Sequence, residues 1–224
     1  MRGTYSAKRT VISCISKNIF AQSPSLIFRC YQKRLPMESD LLIHNREEII
    51  EGLKTNYQKV LNFVEPLNEP QLNYKPSPEV WSIAENLQHL ILSSNPVATS
   101  LAVPSVVLWV FGLPKSRPSR AYQQLIVDYQ QALEQGFQAP SEFIPRASKN
   151  KQGLIEAWQR MENKLVRRVN NLWQEAQLDK YLVPHPSLGK ITIRELLFFT
   201  VYHAEHHFKI MQKRLQEAQL SHKN

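Results

Sequence analysis

Apolar residues recur every three to four positions along most of the chain, the spacing that gives a helix one buried face. Ile49, Ile50, Leu53, Tyr57, Val60, Leu61 and Val64 form the first such stripe. Asn45 caps it, Glu48 reaches back from three residues on, and Pro66 ends it. Residues 68–78 are rich in proline and asparagine and read as a loop. Ser82-Ile83-Ala84-Glu85 then opens a second helix with another capping box, Trp81 standing before it as a hydrophobic staple. Ile83, Leu87, Leu90 and Ile91 make its buried stripe, and Asn95-Pro96 is expected to disturb it.

Ser119 is expected to cap a third helix that Gly136 stops after Gln135. A fourth follows Asn150 and runs through Trp173, with Leu154, Ile155, Trp158, Met161, Leu165, Val169 and Leu172 along one side. Arg160, Lys164, Arg167 and Arg168 read as its solvated flank. Residues 184–190 read as a rigid loop delivering the chain to Thr192-Ile193-Arg194-Glu195, a third capping box, and to a last helix ending near Gln216. The pattern predicts no strand and no internal repeat.

The most apolar run, 97–113, is short for a bilayer and is broken by Pro104, so a transmembrane helix is rejected. It reads as core packing, as the wall of a substrate pocket, or as a partner surface.

Charge changes the picture only at one end. The net charge is +9, but Arg2, Lys8, Arg9, Lys17, Arg29, Lys33 and Arg34 lie in the first 36 residues with no acidic residue among them. The remainder holds 21 basic against 19 acidic residues, a balance that removes the main support for nucleic-acid binding. The organisation read from this is a basic leader over 1–37, a helical domain over 38–218 and a short tail over 219–224. The leader resembles an organelle transit peptide, or is an extension ahead of Met37, and is expected to be disordered. Cys14 and Cys30 both fall within it, so the domain has no thiolate ligand or nucleophile of its own. The expected location is cytoplasmic, organellar only if the leader is a genuine transit peptide, with no membrane association.

The candidate chemistry sits in Tyr202-His203-Ala204-Glu205-His206-His207, which holds three of the seven histidines. On a helix, residues four apart share a face, so His203 and His207 are placed to grip one metal ion. Continuing their line reaches Ile210 and Met211, whereas the line from His206 reaches Lys209 and Lys213. His203 and His207 therefore point inward and His206 lies toward the boundary. Two buried imidazoles need partners, and a shared cation would satisfy both. A catalytic zinc site usually takes a third protein ligand and leaves one position open. His89, beside the apolar stripe of the second helix, is the natural third. His185 stands ahead of the last cap, and eleven residues of helix span about 16 Å, so it is expected to be remote from His203 unless its loop folds back.

The Trp81–Leu90 stretch WSIAENLQHL, the HPSLGKIT loop at 185–192 and the YHAEHH stretch resemble the DinB-like superfamily, related to the YfiT-like metal proteins, over most of residues 42–216. The resemblance implies an all-α fold: a four-helix bundle with an additional helix and long connecting loops. It also implies a three-histidine metal site at His89, His203 and His207 holding zinc or nickel. Many relatives follow the last histidine with Arg-Gly-Gln where this chain has Phe208-Lys209-Ile210, so any role of that arginine is not carried over.

The function implied is a metal-dependent enzyme, with transfer involving a low-molecular-weight thiol as the concrete reaction and a homodimer as the assembly. Metal-assisted hydrolysis would use the same site with water in the open position. The competing class is a non-catalytic binding or dimerisation protein. No general base is evident, because Glu205 points away from His203 and Glu85 serves as a cap.

Overall fold

Capping sets the helix starts. Asn45 accepts from the Glu48 amide at 2.9 Å while Glu48 returns a carboxylate to the Asn45 amide, and α1 runs Arg46–Val64. Ser82 and Glu85 repeat the exchange at α3, Ile83–Ser100. Asn150 caps α6, Lys151–Leu172, and Thr192 with Glu195 opens α7, Ile193–Ser221. This computed structural model describes residues 43–109, 117–146 and 150–221. The proposed leader, its two cysteines and the last residues of the tail lie outside them.

These four long helices form the bundle. The helices α1 and α3 each pack against both α6 and α7, so the order around the bundle is α1, α6, α3, α7. The centre is a stack of Tyr57 on Trp158, ring centroids 3.9 Å apart, with the indole N–H donating to the Tyr57 carbonyl. On the α1–α7 seam, Gly52 permits close approach: a Cβ there would meet Val201 at 3.1 Å. Nearby, Asn56 donates to the Val201 carbonyl at 2.9 Å and fixes the register of the two helices. Among the described residues, no helix is long and apolar enough to cross a membrane.

Three further α-helices stand among the described residues of this mostly helical domain: α2, Glu69–Asn73; α4, Ser105–Leu108; and α5, Tyr122–Glu134, which packs on α7. Several expectations need correction. The supposed loop at 68–78 contains α2, because Asn68 and Gln71 form a capping box and Pro70 stands within its first turn, where a missing N–H costs nothing. Helix α3 carries Pro96 inside it and continues to Ser100. Arg168 is no mere flank; it donates to the Ala98 carbonyl near the end of that helix. Helix α5 starts after Ala121, and the Ser119 hydroxyl instead meets Asp179 and Thr192.

The loop at 184–190 is part of a hairpin, contrary to the expectation of no strand. Strands β1, Leu182–His185, and β2, Gly189–Thr192, pair antiparallel with His185 opposite Gly189. Gly189 has φ +71°, a conformation that side chains disfavour, and it lets the chain reverse tightly. Val183 and Ile191 are the buried pair that holds the hairpin to the domain.

The run at 97–113 divides. Val97, Ala98, Leu101 and Leu108 are core residues, while Val106, Val107 and Trp109 are exposed. Residues 110–113 lie outside the described part.

Candidate metal centre

The α3–α7 seam brings His89, His203 and His207 together, with one ring nitrogen of each lying within 4.8 Å of the others. All three are buried, at 4%, 6% and 6% exposure. The inward direction read from the HxxxH spacing is therefore what the helix shows. His206 is only half-buried and lies beside this cluster, its ring edge-on to Tyr129.

Hydrogen bonds decide which nitrogen of each ring is free. His89 Nδ1 lies 2.8 Å from the Phe143 carbonyl, which only accepts, so this nitrogen carries the proton. His207 Nδ1 lies 2.8 Å from Asn86 Oδ1. The Asn86 amide nitrogen donates to the carbonyls of Ser82 and Trp81, which turns its oxygen to His207 and makes Nδ1 the donor there too. In neutral His89 and His207 the Nε2 atoms are thus bare, the form that ligates a metal. His89 Nε2 faces His203 Nε2 at 3.2 Å. Without a cation this contact is a hydrogen bond donated by His203. Two nitrogens bound at about 2.05 Å to a tetrahedral ion stand about 3.3 Å apart, so the observed spacing also fits a shared metal.

Electrostatics agree. Burial pushes all three imidazoles below their ordinary range, far below for His203 and His207, where the neighbouring histidines add to it. For His89, burial wins over the opposing bond to Phe143. Neutral imidazoles are the protonation state a divalent cation requires.

A cavity of about 730 Å³ opens against the cluster. Its walls are largely apolar, from Val97, Val103, Leu133, Phe137 and Phe199, and no Asp or Glu is among the described residues that line it. Trp81 borders it and tilts over His89 at 4.9 Å between ring centroids. Glu205 turns away to Lys59 and Lys209, and Glu85 caps α3 and pairs with Lys75, so neither is a base for this site.

The sequence did not place His185 here. The expectation that His185 is remote is corrected: the hairpin folds back, and His185 lines the same cavity, its ring 4.3 Å from Phe199, which in turn stacks on His203 at 4.8 Å. Asn86 and the Phe143 carbonyl were also missed. Asn86 stands one helical turn before His89, a spacing that signals a shared face, whereas a backbone carbonyl from another segment leaves no local trace.

The buried histidines are expected to make the metal-free protein acid-sensitive. Burial lowers His185 and His206 to about 4, below the ordinary 6.5. The unfolded chain therefore binds more protons below 6.5, and stability present above that value is lost as pH falls toward about 4. Each such histidine contributes a slope of about 1.4 kcal/mol per pH unit within its window. A pH series of melting temperatures on metal-stripped protein is expected to fall steadily through this range; a flat profile would contradict the buried neutral state.

No curated protein matches this chain. Among solved structures it is similar to TT2238, a four-helix bundle protein, at 13% identity over 75% of this chain and 98% of that one, with a TM-score of 0.48. It is also similar to YfiT from Bacillus subtilis, described as a probable metal-dependent hydrolase with an unusual four-helix bundle topology. There the identity is 17% over 82% of this chain and 93% of that one, with a TM-score of 0.49. The family model of the DinB superfamily matches residues 53–211, a span that reaches from within α1 to within α7 and includes the three clustered histidines. The chain belongs to the DinB superfamily.

Proposed function

We propose that this protein is a metal-dependent enzyme in which His89, His203 and His207 hold a zinc or nickel ion and a low-molecular-weight thiol is transferred to a small apolar electrophile. One observation carries the choice of reaction: the cavity over the three histidines is apolar and lacks a carboxylate among its described lining. Metal-assisted hydrolysis can take its nucleophile from metal-bound water, but a polar ester or amide would find few partners in this lining. The remaining imidazoles at the wall, His185 and His206, are held near 4 by burial and are poor bases. A bound divalent ion lowers the pKa of a coordinated thiol as it does that of water, and it is the apolar wall that favours an apolar electrophile over a polar hydrolysable one.

The chain supplies the rest. The Phe143 carbonyl and Asn86 fix the tautomers of His89 and His207. The apolar walls exclude water and accept the electrophile, and the volume suits a small molecule. In the transfer the thiol proton passes to solvent, the sulfur forms the new bond to carbon, and the leaving group departs with its electron pair.

The test is consumption of a small aryl or alkyl halide by metal-loaded protein with and without a thiol. Thiol-dependent turnover that disappears on metal removal is expected. Metal-dependent cleavage of esters or amides without thiol would make the protein a hydrolase. Bound metal with neither activity would make it a binding protein.

A further inference from the structure

The cavity has a second polar element, on the wall built by the hairpin. His185 Nδ1 receives the backbone N–H of Ser187 at 3.3 Å, and the Ser187 hydroxyl stands at the same distance. A backbone amide only donates, so this nitrogen is the bare one and the proton of neutral His185 resides on Nε2. Its ring packs edge-on against Phe199, within the lining of the cavity. His185 is half-buried at the cavity wall, and no described protein acceptor meets its Nε2.

We infer that His185 is a substrate-binding residue whose Nε2–H donates to an oxygen acceptor on an otherwise apolar substrate, such as a carbonyl, nitro or ether group, held one aromatic ring away from His203. This deepens the proposed transferase reading, yet the subsite is defined by cavity and tautomer and does not require the metal. The surroundings explain why the donor discriminates. The neighbouring wall is hydrocarbon, so an N–H without a partner is costly once a ligand displaces water. An apolar ligand without an acceptor strands the donor, while one with an acceptor satisfies it. Gly189 and the buried Val183–Ile191 pair give the hairpin a fixed seat, so His185 is positioned before any ligand arrives.

The experiment compares two probes of nearly equal shape, acetophenone and isopropylbenzene, binding to the full chain, metal-loaded and metal-stripped. Calorimetry is expected to show a preference for the ketone of about three- to tenfold, the range for one neutral hydrogen bond. His185→Phe should keep isopropylbenzene binding, which reports that the cavity is intact, and lose the preference. His185→Gln, which retains an N–H donor, should restore part of it. Heteronuclear NMR of the imidazole should show the proton on Nε2. Equal binding of the two probes by the native protein, failure of both to bind, or an undiminished preference in His185→Phe would overturn the subsite. If the preference holds and no metal binds to either form, the subsite stands and the metal-dependent reading falls; metal binding with no preference has the opposite meaning.

Discussion

His203→Ala is expected to lose stoichiometric metal, with affinity for zinc or nickel falling by more than about 100-fold. The reason is its place in the cluster. Its Nε2 is 3.2 Å from that of His89, and it shares a helix face with His207, so alanine here leaves only two protein ligands where a stable site takes three. Asn86→Ala keeps all three imidazoles and removes the acceptor that orients His207, together with the bonds Asn86 donates to the Ser82 and Trp81 carbonyls. Its expected loss is smaller, about 10- to 100-fold, the usual effect of removing a partner behind a ligand. The two variants therefore form a graded series rather than two equal failures. Metal content after gel filtration and the rise in melting temperature on adding metal read both. At a free metal concentration of about 100 times Kd, the native protein should gain roughly 2.7 kcal/mol. His203→Ala should gain almost none of it, with its helicity retained by circular dichroism. Stoichiometric metal in His203→Ala would exclude the triad as the site.

What was legible in advance was local. Helical periodicity chose His203 and His207 over His206, because the buried line continues to Met211 while the other meets lysines; Met211 is buried and Lys209 exposed. The capping boxes at Asn45, Ser82 and Thr192 were readable for the same reason, since both partners lie within three residues. His89 needed a guess about which helices face each other, and its stripe supplied it. His185 was hidden because strands of four residues have too little length to show a period, and the reversal depends on one glycine with positive φ. Ser119 misled because a hydroxyl before a helix satisfies the local rule, yet Asp179 and Thr192, distant in the chain, take it instead. Helix α3 continues past Pro96 because tertiary packing outweighs a local breaker: Val97, Ala98 and Leu101 beyond it are buried in the core.

Glu195 shows how a residue can be read correctly and still be underestimated. It is the cap partner of Thr192, as its spacing suggested, but its carboxylate is also wholly buried. It accepts from Arg117 at 2.6 and 3.0 Å, from the Arg120 guanidinium at 3.0 Å and from the Arg120 amide at 2.7 Å. Burial raises its pKa, but the bonds from Arg117 and Arg120 prevail and hold the group at about 2. Glu195→Ala is expected to destabilise the domain by about 1–3 kcal/mol, because Arg117 and Arg120 lose a buried acceptor, Asp128 remaining for Arg120, and the Thr192 amide is freed. Glu195→Gln preserves an oxygen for the cap but not the charge, so it should lose less. The sign with pH follows from the lowered carboxyl: its contribution is full above about 4.5 and is lost as pH falls toward about 2. The gap between native and Glu195→Ala protein in urea titrations should therefore be large at neutral pH and shrink in acid; a gap that stays constant would assign the loss to packing alone. The same variant reaches the cavity. Thr192 ends the strand paired with β1, whose last residue is His185, so loosening this anchor should also weaken the ketone preference without changing the three metal ligands.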